Sequence, residues 1–225
     1  MGYWLVRNVV KLLMFLIARV EIQGKENLPK SGAFVATANH IGRIDAFLTY
    51  DIFDRPDVIL IIAEKYRKVF YWRWMVRLVN GIWIDRYNAD FGALREVLRR
   101  LKAGGVLAIA PEGTRSPDGT LQEARQGAAF LAVKSGLLVV PVGVVGCEDL
   151  VAKDRFKRFR KLDIKVRVGE PYHLPALSGR DRDAQLEKAT DEIMCHIAAL
   201  LPEDRRGVYS NHPRLEQLLA GSPVL

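Results

Sequence analysis

The sequence predicts an α/β fold, a mostly parallel or mixed sheet sandwiched by helices. Three observations predict it. Short, unbroken, β-branched runs recur along the chain. Stretches with apolar residues every three or four positions lie between them. Polar clusters rich in His, Asp, Glu and Arg follow several of the runs directly. Strands covered on both faces read as continuous apolar runs, and strand–helix alternation folds as a sheet between helical layers.

Taken in order, the predicted strands are Val20 to Gln23, Ala33 to Ala38, Val58 to Ala63, Ile82 to Asp85, Val106 to Ala110, Val139 to Val145 and Asp163 to Val168. The helix candidates are Asp45 to Phe53, Val69 to Val79, Ala89 to Leu101, Gly127 to Ser135 and Ala184 to Leu201. Asp154 to Lys161 (DRFKRFRK) reads as a basic, Phe-interleaved loop or turn, either a solvated surface or a contact with an anionic membrane. No internal repeat or low-complexity linker interrupts this order. The expected organisation is a helix over 1–20, one domain over 21–201, and a tail over 202–225 that carries Pro, Gly and Arg without a long periodic run.

The opening MGYWLVRNVVKLLMFLIARV predicts an amphipathic helix lying on a membrane surface. Its uncharged run, Leu12 to Ala18, is far shorter than the roughly twenty residues a span requires. Arg7, Asn8 and Lys11 share one helical face, with Trp4, Leu5, Val9, Leu12, Leu13 and Leu16 mostly elsewhere, which suits the interface of an anionic membrane. A core-packed helix and a tilted span tolerating Lys11 remain open on the same residues. A signal peptide is disfavoured by Lys11 and Arg19 and by the missing small-residue cleavage site.

With 225 residues the chain is long enough to bury a self-sufficient core without metal or disulfide staples. Cys147 and Cys195 are far apart and lack metal-ligand spacing, so both read as ordinary buried thiols of a reducing compartment. The net charge of +8 attracts nucleic acid, anionic membranes or phosphorylated substrates alike. Nothing but charge supports nucleic acid. No Gly-x-Ser-x-Gly elbow, phosphate loop or metal-ligand cluster is present, and no metal is expected.

Four clusters carry chemistry, and in such sheets sites form at the carboxyl ends of the strands. The first is Asn39-His40-Ile41-Gly42-Arg43-Ile44-Asp45. On a continuous helix His40 and Asp45 would sit about 140° apart. A loop entering a helix near Asp45 would instead return the carboxylate to the imidazole and leave the other ring nitrogen free as a base. By itself the pattern equally fits a structural histidine. The second is Gly81 to Arg86, a strand ending in Asp85-Arg86, which reads either as a surface pair or as a guanidinium at the sheet edge. The third, Pro111-Glu112-Gly113-Thr114-Arg115-Ser116, reads as a capped turn or as a phosphate grip through Arg115 with hydroxyl donors beside it. The fourth is Val139-Val140-Pro141-Val142-Gly143, where proline points to an edge strand, a bulge or a groove wall.

In this order the four clusters resemble those of the glycerolipid acyltransferases that include 1-acylglycerol-3-phosphate acyltransferases. The resemblance spans Asn39 to Gly143 directly. It implies His40 as general base, Asp45 as its orienting partner, and Arg86, Glu112, Gly113, Thr114, Arg115 and Ser116 as the cradle for the acceptor. Pro141 matches a motif linked to the acyl donor. The implied reaction moves a fatty acyl group from acyl-CoA or an acyl carrier protein thioester to lysophosphatidic acid, without a further cofactor or a covalent acyl-enzyme. Glycerol 3-phosphate, another lysophospholipid, or a glycolipid or aminolipid are the alternative acceptors. The expected location is the cytoplasmic face of the cell membrane, peripheral or monotopic. A non-catalytic membrane-binding protein with the same fold is the contrasting class, and the intact His40 and Asp45 oppose it. One departure stands out: many members carry Ser where this chain has Gly42.

Overall fold

The computed structural model describes residues 2–86, 88 and 90–221. Seven strands form one sheet: β1 (Ala18–Gln23), β2 (Phe34–Ala38), β3 (Val58–Ala63), β4 (Ile82–Ile84), β5 (Val106–Ile109), β6 (Val139–Val145) and β7 (Leu162–Val168). The spatial order is β1-β7-β6-β2-β5-β3-β4. β6, β2, β5, β3 and β4 run parallel to one another. β7 is antiparallel to β6, and β1 runs parallel to β7. The sheet is therefore mixed, with a parallel block of five strands.

Among the described residues, eight helices surround it: α1 (Gly2–Ile17), α2 (Asp45–Ile52), α3 (Phe70–Leu78), α4 (Phe91–Lys102), α5 (Gly127–Ser135), α6 (Asp149–Lys157), α7 (Arg182–Ala199) and α8 (Pro213–Gly221). α1, α2 and α6 cover one face through Met14, Leu48, Ile52 and Ala152, which meet Phe34, Ala36, Val142 and Ile164. α4, α5, α7 and α8 cover the other through Val97, Leu101, Leu131, Ile193 and Leu215, against Val35, Ile59, Leu107 and Val139. The odd and even positions of β2 feed opposite cores, which is why the strand reads as an unbroken apolar run.

Local chemistry sets several boundaries. α4 begins where the Asp90 carboxylate accepts the Ala93 N–H, and its buried Ala93, Val97 and Leu101 recur every four residues. Arg99, Arg100 and Lys102 close it, matching the negative helix end. α5 ends at Gly136, whose φ of 65° lies in the left-handed region that glycine adopts without strain.

Several elements differ from the sequence expectation. Of the basic segment, Asp154 to Lys157 belong to α6, which begins at Asp149 and is followed by Phe159, a fully exposed side chain with φ 53°. Its short length and single buried residue, Ala152, gave no periodic signal. The segment after Pro202 contains two 3-10 turns and α8, which packs on α7; residues 222–225 of the expected tail lie outside the described residues. β7 is covered on one face only: Leu162, Ile164, Val166 and Val168 are buried, while Asp163, Lys165 and Arg167 face outward. Nor is β6 an edge strand, because β2 and β7 flank it. Pro141 is accommodated by a slip in the antiparallel ladder. Val139 bridges Tyr172, yet Val142 pairs with Val168, so the facing chain carries one extra residue beside the proline.

The N-terminal helix turns its basic residues inward. Arg7 Nη1 lies 3.1 Å and Lys11 Nζ 3.7 Å from Asp54 Oδ1, just beyond α2. Trp4, Leu5, Val9, Leu12, Leu13, Phe15 and Leu16 are exposed. The expected basic face is thus a contact with the body, because Asp54 supplies the opposite charge there. Among the described residues, no helix is long and apolar enough to cross a membrane.

Candidate active site

Four loops leave the sheet at one edge, the carboxyl ends of β2, β4, β5 and β6, because these strands are parallel. Each holds one of the polar clusters or, after β6, the segment Gly146 to Asp149.

His40 lies two residues beyond β2. Its preceding neighbour Asn39 prolongs the strand with its side chain: the amide donates to Val144 O and accepts from Val144 N, both at 2.8 Å. This side-chain rung fixes the exit direction of the loop. The loop then folds back on the first turn of α2. Asp45 Oδ2 accepts from the backbone N–H of Ile41 at 2.9 Å and of Gly42 at 3.0 Å. The same carboxylate lies 2.8 and 3.0 Å from His40 Nδ1. A carboxylate only accepts, so Nδ1 carries the proton and Nε2 of the neutral ring keeps its lone pair. Asp45 is also the first residue of α2, where a negative charge is favoured. The His40 side chain is 28% exposed, so solvent and substrate can reach it, while the Asp45 side chain is only 8% exposed.

Glu112 holds this loop from the β5 side. Its carboxylate accepts His40 N–H at 2.8 Å and Gln122 N–H at 3.0 Å. Glu112 is 2% exposed. Burial pushes its carboxyl up to about 7, against the opposing pull of the two backbone hydrogen bonds. Ser116 N–H adds a bond to His40 O at 2.7 Å. Glu112 and Ser116 thus position His40 through the main chain. The Ser116 hydroxyl donates to Asp118 Oδ1 and accepts Gly119 N–H, so it is committed to its own turn. Thr114 is exposed.

Arg86 and Arg115 occupy neighbouring parts of this edge. Arg86 Nη1 donates to Gly113 O, and Arg125 Nη1 donates to Arg86 O. Gly113 has φ 66°, and a Cβ there would meet Arg125 Cδ at 3.1 Å, so glycine serves both the turn and the close approach. Arg115 reaches instead toward the loop after β6, with Nη1 2.6 Å from Asp149 Oδ2. Pro141 is buried inside β6, one rung before the pair Ala38–Val142, opposite Thr37.

Gly42 has a steric explanation. A Cβ on it would lie 2.0 Å from Cys147 O and 3.0 Å from Cys147 C. The serine common at this place would need the 146–149 loop to move away. Cys147 itself is buried, and burial pushes its thiol above the ordinary range, so it offers no nucleophile.

The sequence model of the family described as Acyltransferase matches residues 19–145. That is more than half of the chain, and it includes all four clusters. The chain belongs to the acyltransferase family. This acyltransferase is similar to the 1-acyl-sn-glycerol-3-phosphate acyltransferase of Bacillus subtilis, 26% identical over 82% of this chain and 91% of that protein. It is 31% identical over 62% of its length to the enzyme of that name from Pseudomonas aeruginosa, of which it covers 52%. A crystal structure of the 1-acyl-sn-glycerophosphate (LPA) acyltransferase PlsC from Thermotoga maritima superposes with a TM-score of 0.63 at 28% identity. The match covers 85% of this chain and 78% of that one. The chain thus spans nearly all of the Bacillus relative and about half of the Pseudomonas one.

Some residues of the candidate site escaped the sequence reading. Asp149 and Arg125 lie outside the four clusters. The carboxyl end of β6 was the available signal for Asp149, since sites gather at such ends. Asn39 was seen as part of a pattern, but its rung to Val144 needs the β2–β6 neighbourhood, which sequence order hides.

Proposed function

We propose that this acyltransferase moves a fatty acyl group from acyl-CoA or an acyl carrier protein thioester to the free hydroxyl of lysophosphatidic acid, giving phosphatidic acid. The observation that carries the proposal is the His40–Asp45 pair, with Nδ1 held and Nε2 unblocked, beside the arginines of the β4 and β5 loops. The names of these relatives point to the same acceptor.

In this reading His40 Nε2 takes the proton of the acceptor hydroxyl as its oxygen attacks the thioester carbonyl. Asp45 stabilises the imidazolium that forms. The tetrahedral adduct then expels the thiolate, which recovers the proton from Nε2. A positioned base of this kind contributes about 10²- to 10⁴-fold. The thioester is already activated, so no enzyme nucleophile is required. Arg86 and Arg115 bind the acceptor phosphate, with Gly113 and Thr114 at the turn between them. Glu112 and Ser116 keep His40 in place. Pro141 shapes the sheet wall on the donor side.

The exposed apolar face of α1 supports docking on a membrane surface. It touches α3, whose Phe70, Tyr71 and Trp74 are also exposed. Basic residues Lys65, Arg67, Lys68, Arg73 and Arg77 lie in and before α3, matching anionic lipid. Lys161, after α6, caps the Phe15 carbonyl at 2.6 Å and lies over the Phe15 ring. The α1 and α6 sides of this surface are therefore tied together.

The test is thiol release by purified protein in detergent or lipid, with lysophosphatidic acid and a matched monoacylglycerol, each offered acyl-CoA or acyl carrier protein thioester. Phosphate-dependent release is expected. Arg86→Ala should lower kcat/KM for the phosphate acceptor about ten- to a hundredfold, the worth of one charge-assisted bond. A faster reaction with monoacylglycerol would reassign the acceptor.

A further inference from the structure

Arg115 is not vacant. Its Nη1 lies 2.6 Å from Asp149 Oδ2, an ion-pair distance. The other oxygen, Oδ1, accepts the N–H of Arg43 at 2.9 Å. Arg43 lies between His40 and Asp45 in the loop that forms the base. A single carboxylate therefore divides its two oxygens, one on the catalytic loop's backbone and one on the phosphate-binding guanidinium. The Arg43 side chain approaches too, with Nε 3.9 Å from Oδ2. Asp149 reaches this position because the loop after β6 passes against Gly42, where no Cβ could fit.

We propose that Asp149 is an internal competitor for the acceptor's phosphate: its Oδ2 occupies the place on Arg115 that the phosphate takes, so an anionic headgroup binds there only by displacing it. The proposal rests on the phosphate reading of Arg115 above. Side-chain exposures of 27% for Arg115 and 44% for Asp149 leave the pair open to exchange. A pair this exposed changes an equilibrium only about two- to fivefold. A phosphate monoester brings a charge of about −1.5 to −2 and three strong acceptor oxygens, which match the planar guanidinium fork better than one carboxylate oxygen does. A neutral headgroup offers no such exchange and leaves the ion pair closed. Oδ1 keeps its bond to Arg43 N–H throughout, so the base loop stays fixed while Oδ2 is released. Asp149 thus weakens binding of every anion that takes this place on Arg115 by a common factor.

The experiment uses the full chain and measures competitive inhibition of thiol release by inorganic phosphate and by acetate, at constant ionic strength. Asp149→Asn keeps an oxygen for Arg43 N–H and removes the charge facing Arg115. Inorganic phosphate inhibition should tighten about two- to fivefold, and acetate inhibition by a similar factor. Asp149→Glu, which keeps the charge, should return phosphate inhibition toward that of the unmodified enzyme. In an Arg115→Ala background, Asp149→Asn should leave phosphate inhibition unaltered. Thermal-shift titration with phosphate gives the same comparison independently of turnover. Unchanged or weaker phosphate inhibition in Asp149→Asn, or an equal effect with and without Arg115, would overturn the proposal. If Arg115→Ala alone leaves phosphate inhibition untouched, the phosphate reading of Arg115 fails first. If Arg115→Ala weakens it but Asp149→Asn does not tighten it, only the role of Asp149 fails.

Discussion

Replacing Asp45 by Asn should silence the base without removing it. Asp45 Oδ2 accepts Ile41 N–H, Gly42 N–H and His40 Nδ1–H, and Oδ1 shares the last of these. An amide has one oxygen and one NH2. If the oxygen stays on the two backbone N–H groups, the NH2 faces Nδ1 and donates to it. Nδ1 then carries the lone pair, and the ring proton moves to Nε2, where a base is needed. The opposite flip sets the NH2 against two backbone donors, each left unsatisfied at about 1–3 kcal/mol. The first arrangement is favoured by that margin. The expected result is a fall in kcat of about 10²- to 10⁴-fold, the full contribution of general base catalysis, with a smaller change in acceptor KM. The assay is thiol release under saturating donor and acceptor, with thermal melting to confirm equal folding. A kcat for Asp45→Asn within a few-fold of the unmodified enzyme, at matched melting temperature, would show that His40 does not act through this tautomer.

Three further outcomes follow from the same structure. Gly42→Ser should destabilise the protein by about 1–3 kcal/mol, as overpacked sites do, since its Cβ would lie 2.0 Å from Cys147 O; denaturant melts reporting no loss would disprove the close approach. Glu112 has a folded pKa of about 7 against 4.5 when free, so between these pH values only the folded state holds its proton, and stability falls as pH rises through that window by about 3 kcal/mol. Glu112→Gln should flatten this slope while losing stability at pH 5, because one of the two backbone N–H groups then faces an amide NH2; parallel slopes from pH 4.5 to 8 in both proteins would contradict the assignment. Serine at Leu12, Leu13 and Leu16 together should reduce flotation with anionic vesicles at least tenfold, with no change in melting temperature, because all three are exposed on α1; undiminished flotation would place the contact elsewhere.

The sequence alone determined the layered α/β fold and most strand positions, because runs such as VILIIA and VVPVGVV need cover on both faces whatever their neighbours are. It also marked His40 and Asp45 as a candidate pair, because Asn-His-x4-Asp is a local pattern. Strand order belongs to the tertiary structure. Asn39 meets Val144, and Glu112 meets His40, only because β2 lies between β6 and β5. The same neighbourhood set the Glu112 carboxylate on the main chain of His40. It explained Gly42 by the passage of Cys147, a contact between residues more than a hundred positions apart. It also reversed the faces of α1, because Asp54 attracts Arg7 and Lys11 inward and leaves the apolar side chains outside. Periodicity records which residues share a face of an element. Which way that face turns depends on the charges and surfaces that folding brings beside it.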